Sequence, residues 1–457
     1  MDLRNKKVTV VGFGNSGIGC ALLLYSEGAI VSVTDNADTE NIRKNEALLK
    51  EKYIATEIGA HTEAFLADTE LFVASPGVGA SSLPLRYAKE NNIPVISEME
   101  LGYSFCKAPI VAVTGTNGKS TVVSLIGSIL GSAGIPVRVC GNIGNSLSGE
   151  ISAPGQRRIG KDAVVVLEAS SFQLERISSF RPKISVILNV TEDHLDRHGD
   201  FWNYFAAKKN IFKNQKEGDI TVLNYDDGNV RNLAESGRVT SKVLYFSAKK
   251  KVEGAYLDKG VVKIFLKRKA KGLFDLKETN LKGAHNTENI LASVLVATLL
   301  GADTHSIKKA LKDFVPLAHR FEIIAKVGGV EFIDDSKATN VDSACRALKA
   351  AGRRTILIAG GKDKNLPYEK VIPALKKGVK KVILIGETRH KMRGIFEKYV
   401  AVEEKDSLEE AVRSAYRSAS PGGCVLLSPM CSSFDMFRDF EHRGEVFREA
   451  VKKLKHA

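Results

Sequence analysis

The chain has 457 residues, of which 44% are hydrophobic and 26% are charged, and its formal net charge is +14. This length predicts a globular protein of two to four domains with enough apolar residues for a large core. No apolar run approaches the roughly 20 residues that a transmembrane helix needs, and the first residues lack the apolar stretch of a secretory signal. These features argue against a membrane-bound or secreted protein, and we expect a cytoplasmic one.

The cysteines and the charge excess limit the function further. The six cysteines show no C-x-x-C spacing, which predicts reduced thiols and neither disulfides nor a zinc site. Much of the positive charge lies in lysine-rich stretches, such as residues 249–251 and 267–269, with few aromatic residues among them. We interpret these lysines as solvated residues whose field attracts polyanionic substrates, and nucleic-acid binding is the alternative.

The N-terminal segment begins with a predicted strand at residues 8–12, which runs into a G-x-G-x-x-G turn at 12–17 and a helix over 18–26. A second strand, over 29–34, ends at Asp35. This is the dinucleotide fingerprint, with an acidic residue where a ribose hydroxyl would bind. A third strand at 71–74 leads into a tight loop at 75–78, and a fourth at 93–97 ends the segment. The pattern predicts a Rossmann-like domain whose nucleotide need not be NAD.

A short apolar strand then leads into a glycine-containing loop at 115–118 and a helix that opens with Lys119. Such a loop turns backbone N–H groups toward an anion, and the helix N-terminus and the lysine add positive charge. Ser120 or Thr121 could hold Mg²⁺ through a hydroxyl group. The strict phosphate-loop pattern fails because Val113 stands where its first glycine belongs. The preceding strand and the apolar helix over 122–130 nevertheless favour a phosphate loop over a chance Gly-Lys-Ser helix start.

Polar residues follow two further buried strands. Glu168 comes after the strand at 163–167, where it could hold Mg²⁺ or only begin a helix. The strand at 184–189 leads into a dense run of ionisable residues at 192–198, which is typical of a functional site. Lys208 lies on a predicted helix, where a solvated lysine is the ordinary interpretation. A hairpin is predicted at 253–266, and the helix from Asn286 to residue 300 opens with polar groups that could contact a base or cap the helix.

The third segment begins after Pro316 and contains predicted strands at 330–333, 355–359, 382–385 and 425–427 with helices between them. This alternation predicts a second doubly wound sheet, with polar loops at 334–340, 360–364 and 428–435. The predicted fold class is therefore α/β with three domains. They are a Rossmann-like N-terminal domain (1–97), a central phosphate-loop domain with a parallel sheet (98–316) and a Rossmann-like C-terminal domain (317–457).

Together these stretches resemble the Mur ligase family over essentially the whole chain, and within it the members that add D-glutamate. The resemblance rests on the order and spacing of motifs at 115–121, 168–174, 189–196, 207–208, 285–286, 319–322, 335–340 and 433–435. The Asp-Ser-Lys-Ala-Thr-Asn and Ser-Pro-x-Cys-x-Ser stretches favour the D-glutamate-adding members. The Asp-Asn-Pro-Arg stretch of the diaminopimelate- or lysine-adding relatives is absent.

The resemblance implies an ATP-driven amide ligation between UDP-N-acetylmuramoyl-L-alanine and D-glutamate through an acyl phosphate. It implies catalytic roles for Lys119, Asn142, His194 and Lys208. It implies Mg²⁺ sites at Ser120 and Glu168 and at His194 and Lys208, with Lys208 carbamylated by CO₂. The implied ATP-binding residues are Gly115, Thr116, Asn117, Gly118, Lys119, Ser120, Thr121, Asn286, Asn289, Arg320 and Asp335.

The resemblance also assigns the other two substrates. The implied UDP-substrate residues are Gly12, Asn15, Ser16, Asp35, Ser75, Pro76 and Gly77, although Asn36-Ala37 replaces the Thr-Arg that follows Asp35 in some members. The implied D-glutamate residues are Lys337, Thr339, Lys364, Ser433 and Phe440. We expect a monomer that binds neither nucleic acid nor a membrane and whose C-terminal domain closes during turnover.

Three alternatives remain at this point. A nicotinamide-dependent dehydrogenase would explain the glycine turn and Asp35, but it leaves the phosphate loop and the run at 189–196 unexplained. A non-enzymatic or motor-type phosphate-loop protein that binds nucleic acid through its basic surface would leave Lys337 and its neighbours unexplained. Another amino-acid ligase of the family, such as a folylpolyglutamate synthase, is the nearest alternative, and the UDP-type first domain argues against it.

Overall fold

The computed structural model describes residues 1–79, 81–152, 159–235, 237, 239–281, 283–352 and 354–454. The chain forms two compact units. The first comprises Met1–Val190, Phe205–Asn280 and Asn286–Phe314, and the second comprises Thr191–Tyr204, Leu281–His285 and Val315–Ala457. In the described ranges, no helix combines the length and the apolarity that crossing a membrane requires.

The first sheet has five parallel strands in the order β3-β2-β1-β4-β5. Its strands are β1 (Lys7–Val11), β2 (Ile30–Asp35), β3 (Ala55–Ile58), β4 (Leu71–Ala74) and β5 (Val95–Ser97). The accompanying helices are α1 (Asn15–Ser26), α2 (Glu40–Lys50), α3 (Glu63–Leu66), α4 (Leu83–Glu90) and α5 (Glu98–Phe105). Strand β3 was not predicted from the sequence, because this edge strand has no buried residue and no apolar run. The strand order changes direction between β1 and β4, where sheets of this type bind ligands.

The second sheet has nine strands in the order β14-β13-β12-β11-β10-β9-β6-β8-β7. They are β6 (Ile110–Thr114), β7 (Val137–Gly141), β8 (Val164–Glu168), β9 (Ile184–Ile187), β10 (Ile220–Asn224), β11 (Lys242–Ser247), β12 (Gly254–Asp258), β13 (Val261–Leu266) and β14 (Lys269–Asp275). Neighbouring strands from β12 through β11, β10, β9, β6 and β8 to β7 pair in parallel. Strand β13 pairs antiparallel with β12 on one side and with β14 on the other. The predicted hairpin is thereby confirmed.

The helices along this stretch are α6 (Lys119–Ser132), α7 (Leu147–Ser152), α8 (Ser171–Glu175), α9 (Leu195–His198), α10 (Phe201–Lys209), α11 (Gly228–Glu235), α12 (Ala284–Leu299) and α13 (Thr304–Asp313). Short 3-10 turns cover Asn210–Phe212 and Leu276–Glu278. The predicted helices around Lys119, Lys208 and Asn286 correspond to α6, α10 and α12.

Three neighbouring strands of the second sheet position the first unit's site. Strands β6, β8 and β9 are buried along their whole lengths, as expected for a parallel sheet covered on both faces. Strand β6 pairs with β8 on one side and with β9 on the other. Because parallel strands end at the same edge, the phosphate loop, Glu168 and residues 188–190 all lie at that edge.

The third sheet has six strands in the order β15-β16-β20-β17-β18-β19. They are β15 (Glu322–Val327), β16 (Val330–Asp334), β17 (Thr355–Gly360), β18 (Val379–Ile385), β19 (Ala401–Glu404) and β20 (Cys424–Leu427). The helices are α14 (Val341–Ala351), α15 (Ile372–Gly378), α16 (Arg389–Phe396), α17 (Leu408–Ser418) and α18 (Phe440–Leu454), and a 3-10 turn covers Tyr368–Val371.

All neighbouring pairs in the third sheet are parallel except β15 with β16. The four predicted strands are present, and the two that the sequence analysis missed, β15 and β19, are the edge strands. Neither edge strand contains a fully buried residue, so their sequences lack the apolar runs of the inner strands. The three sheets confirm the predicted α/β fold class.

Candidate active site

The first sheet carries a cavity of about 710 Å³ at the carboxyl ends of β1, β2 and β4. It is lined by every residue predicted to bind the UDP part of a substrate: Gly12, Asn15, Ser16, Asp35, Ser75, Pro76 and Gly77. Asn142, which follows β7, also lines it. Residues from two sheets of the first unit therefore share one cavity.

Asp35 holds the glycine turn in shape. One carboxylate oxygen accepts a hydrogen bond from the backbone N–H of Phe13 at 2.8 Å, and the other accepts from that of Ala37 at 2.9 Å.

The Ser75 hydroxyl is buried and has no hydrogen-bond partner within the described ranges. A buried hydroxyl in this state is suited to contact a polar ligand in the cavity.

His61 also lines the cavity, although no sequence pattern indicated it. Its Nδ1 lies 2.8 Å from the Thr34 hydroxyl, and burial lowers its pKa even though Asp35 and Glu57 act in the opposite direction. His61 follows the unpredicted strand β3, so only recognition of that strand could have drawn attention to it.

The phosphate loop follows β6, and α6 begins at Lys119. The Lys119 Nζ atom donates to the carbonyl oxygens of Gly115 at 2.9 Å and Thr116 at 2.8 Å. Gly118 has φ +90°, and a Cβ atom there would lie 2.3 Å from the Asn289 Oδ1 atom. The loop therefore needs glycine at this position both for its backbone angle and for space.

Asn189 fixes the phosphate loop from the end of β9. Its side chain accepts from the Asn117 N–H at 2.9 Å and donates to the Asn117 carbonyl oxygen at 3.0 Å. Its own carbonyl oxygen accepts from the Thr116 N–H at 2.9 Å. Asn189 belongs to a sequence motif, but the motif indicated no role for it, because the pairing of β6 with β9 is not visible in a local pattern.

Glu168 is the carboxylate best placed for a cation near this loop. Its side chain is 2% exposed, and Oε1 accepts from Asn142 Nδ2 at 3.0 Å. Its Oε2 atom is buried and has no hydrogen-bond partner in the described part of the chain. Because a buried carboxylate oxygen requires a donor or a cation, this atom fits the Mg²⁺ predicted here. Ser120, the predicted hydroxyl ligand, is also buried at the start of α6.

Lys208 is not the solvated lysine that its helix would suggest. Its side chain is 2% exposed, and its Nζ atom donates to the carbonyl oxygen of Gly115 at 2.8 Å. The amine is thereby held against the phosphate loop.

The predicted ATP residues Asn286 and Asn289 lie on α12, where Asn289 Nδ2 donates to Asn286 Oδ1 at 3.3 Å. The preceding His285 has a side chain outside the described part of the structure.

The second unit contains the ionisable run that the sequence marked as a site. Asp193 accepts from Lys364 Nζ at 3.0 Å and from Asn340 Nδ2 at 3.1 Å. Burial alone would raise the pKa of Asp193, but the charges of Lys364 and His194 and the two hydrogen bonds hold it well below its usual range. Lys364, predicted to bind D-glutamate, thus pairs with a carboxylate of the chain itself.

His194 itself has a left-handed backbone with φ +52° at the start of α9, and its backbone N–H donates to Asp193 Oδ1 at 2.9 Å. Its imidazole lies beside the ring of Tyr204, with 6.4 Å between ring centroids. Within the described residues, no group of three or more His, Cys, Asp or Glu side chains forms a metal cluster by itself. A cation at His194 would therefore need ligands of another kind.

The remaining predicted D-glutamate residues lie on loops at the ends of β16 and β20 and at the start of α18. The Lys337 Nζ atom lies 3.6 Å from the centroid of the Phe440 ring. The Ser336 hydroxyl, adjacent to Lys337, donates to the Phe440 carbonyl oxygen at 2.8 Å. Ser433 is 2% exposed, and the backbone N–H of Thr339 donates to the Lys337 carbonyl oxygen.

The predicted ATP residues Arg320 and Asp335 lie at the same end of the antiparallel pair β15–β16, because Arg320 precedes β15 and Asp335 follows β16. The Asp335 carboxylate accepts from the Phe321 N–H and from the Ser428 hydroxyl, each at 3.1 Å. Burial raises the pKa of Asp335 to about 7, because these two donors and the charge of Arg320 do not replace the lost hydration.

A Rossmann-type sheet with a ligand cavity, a phosphate loop supported by Glu168 and a third α/β sheet with basic loops define a multidomain nucleotide-binding enzyme. Three family models match the chain in order: the MurD-like N-terminal domain of Mur ligases at residues 6–97, the Mur ligase middle domain at 113–297 and the Mur ligase glutamate ligase domain at 319–431. The chain belongs to the Mur ligase family.

Curated relatives match over the full length. The UDP-N-acetylmuramoylalanine–D-glutamate ligase of Thermoanaerobacter sp. (strain X514) is 42% identical over 460 residues and covers 100% of both chains. The enzyme of the same name from Koribacter versatilis is 42% identical and covers 99% of both. Among solved structures, UDP-N-acetylmuramate-alanine ligase from Thermotoga maritima shares the fold, with a TM-score of 0.60 at 20% identity and coverage of 98% of this chain and 99% of that one.

Proposed function

We propose that the protein is an ATP- and Mg²⁺-dependent ligase that adds D-glutamate to UDP-N-acetylmuramoyl-L-alanine in the synthesis of peptidoglycan precursors. Full-length identity of 42% to ligases of that name supports this substrate pair. One geometric observation carries the proposal: the seven residues predicted for the UDP part line a single cavity that also reaches Asn142, beside Glu168. A substrate seated by its UDP end would thus extend toward the phosphate loop.

In the first step a carboxylate oxygen of the nucleotide sugar attacks the γ-phosphorus of ATP, which forms an acyl phosphate and releases ADP. The chain must therefore bring two anions together. Loop N–H groups and Lys119 would bind the phosphates, and Lys119 would leave the carbonyl oxygens of Gly115 and Thr116 to do so. Asn142 would orient the substrate carboxylate from the wall of the cavity. The D-glutamate amine then attacks the acyl phosphate, releasing phosphate and forming the amide. Asn286, Asn289, Arg320 and Asp335 are the proposed contacts to the rest of ATP.

Ser120 and Glu168 would hold one Mg²⁺, which would supply positive charge to offset the repulsion between the two anions. The buried, unpartnered Oε2 atom of Glu168 supports this assignment. His194 and a carbamylated Lys208 are the proposed ligands of a second Mg²⁺. Carbamylation by CO₂ would turn the buried amine into an oxygen anion, which is the kind of ligand that Mg²⁺ prefers.

Lys337, Thr339, Lys364, Ser433 and Phe440 are the proposed D-glutamate contacts. In this assignment Lys364 exchanges the Asp193 carboxylate for a carboxylate of the amino acid.

We also propose domain boundaries at 97/98 and 316/317, a cytoplasmic location, a monomeric state and no binding of nucleic acid. The six cysteines, all of which are free thiols, support a reducing compartment.

The function is tested by phosphate release from ATP in the presence of Mg²⁺ and UDP-N-acetylmuramoyl-L-alanine. D-glutamate is compared with L-glutamate, D-lysine and no amino acid. We expect release that requires both the nucleotide sugar and D-glutamate. Release that depends on neither would contradict the proposal and leave only a phosphate-loop ATPase.

The role of Lys208 is tested by Lys208→Ala, with the neighbouring Lys209→Ala as the matched control. We expect the first variant to lose ligation and not to recover in high bicarbonate, and the second to stay active. Full activity of Lys208→Ala would rule out a metal role for this residue.

A further inference from the structure

Arg443 is a fully buried side chain, with 0% exposure, on the first turn of α18, three residues after Phe440. No motif of the sequence analysis includes it. It is also the largest of the side chains that are almost completely buried. A guanidinium group in such a position must satisfy five N–H donors inside the protein.

The Arg443 guanidinium bonds to two loops at once. On the loop after β16, Nε donates to the Ser336 hydroxyl at 3.0 Å and Nη2 to the Ser336 carbonyl oxygen at 2.8 Å. On the loop after β20, Nη1 and Nη2 both donate to the Cys431 carbonyl oxygen at 3.2 Å, and Nη1 also donates to that of Ser432 at 3.3 Å. A planar group with donors on three sides thus fixes the spacing between the loops.

A third loop rests on the same group. Lys362 lies on the loop that follows β17, and its backbone N–H donates to the Ser432 carbonyl oxygen at 3.0 Å. A Cβ atom on the neighbouring Gly361 would lie 2.3 Å from that carbonyl oxygen and 3.2 Å from Arg443 Nη1. The close approach of the loop therefore depends on glycine at 361 and on the position of Arg443.

Stability alone does not explain a charge at this position. All the acceptors of Arg443 are neutral oxygens, and no carboxylate in the described ranges lies within ion-pair distance of it. Burial lowers the pKa of Arg443 to about 10, so the group stays charged at neutral pH. The Asp334 and Asp435 carboxylates act on Arg443 only from beyond ion-pair distance. A buried cation without a direct ion pair costs free energy that an apolar side chain of similar volume would not cost.

The three loops and the start of α18 carry all the proposed D-glutamate contacts. Lys337 and Thr339 follow β16, Lys364 follows β17, Ser433 follows β20, and the Phe440 carbonyl oxygen is bonded to Ser336. We propose that Arg443 is a positioning residue that holds these loops in the arrangement that binds D-glutamate. This inference rests on the proposed function, because it takes D-glutamate as the ligand of these loops.

The test compares Arg443→Lys and Arg443→Met in the full-length enzyme, with KM measured separately for D-glutamate and for UDP-N-acetylmuramoyl-L-alanine. Lysine keeps the charge but cannot span both loops. We expect KM for D-glutamate to rise at least tenfold in both variants, while KM for the nucleotide sugar changes less than twofold. Phe447→Leu is the matched control, because Phe447 is fully buried one turn further along α18 and packs in the apolar core instead.

An equal rise in KM for D-glutamate in Phe447→Leu at a similar loss of melting temperature would overturn the inference, since general destabilisation would then explain the effect. Unchanged KM for D-glutamate in folded Arg443 variants would overturn it as well. If neither Arg443 variant folds, Ser336→Ala decides, because it removes one acceptor and keeps the guanidinium; we expect a several-fold rise, and no rise contradicts the inference. A wild-type enzyme that ignores D-glutamate would instead overturn the proposed function itself.

Discussion

At the scale of single residues, two buried carboxyl groups of the first unit, Glu168 and Glu98, are each only partly hydrogen-bonded. Each has an Oε2 atom without a hydrogen-bond partner in the described structure. Glu168 lies beside the phosphate loop, whereas the Glu98 Oε1 atom caps α7 by accepting from the Ser148 N–H at 2.7 Å. Burial raises the pKa of Glu98, which favours its neutral form. Glu168 is therefore the carboxylate suited to bind a cation, whereas Glu98 is a buried carboxyl group with a structural role.

We predict that Glu168→Gln lowers kcat at least about 100-fold and raises the Mg²⁺ concentration needed for activity, because it removes a charged metal ligand. Its melting temperature should stay equal or rise, since a buried charge is lost and the amide oxygen still accepts from Asn142. Glu98→Gln is the matched control and should keep its activity within about threefold. Equal activity losses in both variants would show that the effect is one of folding. Mg²⁺ titrations and thermal unfolding measure both effects.

Asp335 makes a prediction about pH. Its folded pKa of about 7 lies above the unfolded value of about 3.9, so the folded state binds the proton more tightly. The stability contributed by this group therefore falls as pH rises from about 4 to about 7 and is constant above that. We predict that Asp335→Asn melts at a higher temperature than wild type at pH 8 and that the difference shrinks toward pH 5.

Asp363 provides a control of opposite sign. Burial raises its pKa, but the Lys391 ion pair and the Tyr368 hydroxyl outweigh burial, and the net pKa lies below its usual value. Asp363→Asn should therefore melt at a lower temperature than wild type at neutral pH. Melting curves of both variants between pH 5 and 8 test the prediction, and parallel shifts in the same direction would contradict it.

At the scale of elements, the junction of β6 and α6 combines a tight turn with a binding loop. We predict that Gly118→Ala raises KM for ATP at least tenfold and lowers the melting temperature. The left-handed backbone would cost a non-glycine residue about 1–2 kcal/mol, and the new Cβ atom would lie 2.3 Å from buried Asn289. ATP titrations and thermal unfolding measure the two effects.

Gly131, near the other end of α6, is the matched control, because a Cβ atom there would meet nothing within 4 Å. Gly131→Ala should leave KM for ATP unchanged and stabilise the helix by about 0.5–1 kcal/mol. An unchanged KM for ATP in Gly118→Ala would show that the loop tolerates the substitution and would contradict the proposed phosphate contact.

At the scale of the whole molecule, the net charge of +14 is opposite in sign to the charge of all three substrates. A positive field raises the encounter rate of anions, and salt screens it over about 10 Å at 0.1 M ionic strength. We predict that raising KCl from about 50 to 500 mM at constant free Mg²⁺ lowers kcat/KM for the nucleotide sugar several-fold, mostly through KM. Sucrose of equal osmolarity should have no such effect, and a salt-independent kcat/KM would mean that the charge has another role.

The amino-acid sequence by itself determined the family, the α/β class and most inner strands. It also marked the seven residues that line one cavity and the loop between β6 and α6. These features are local, because a strand followed by a glycine turn and a helix start has a recognisable pattern within about 15 residues. The edge strands β3, β15 and β19 were not predicted because partly exposed strands lack an apolar run. Strands β7, β10, β11 and β14 of the second sheet were not predicted either.

Only the tertiary structure decided which partners these residues have. The burial of Lys208 against Gly115, the support of the phosphate loop by Asn189 and the pairing of Asp193 with Lys364 each join residues 72 to 171 positions apart. Arg443 likewise became visible only through the loops that it connects. Such contacts depend on which strands lie side by side in a sheet, and the energies that select this order are spread over the whole core, beyond any local motif.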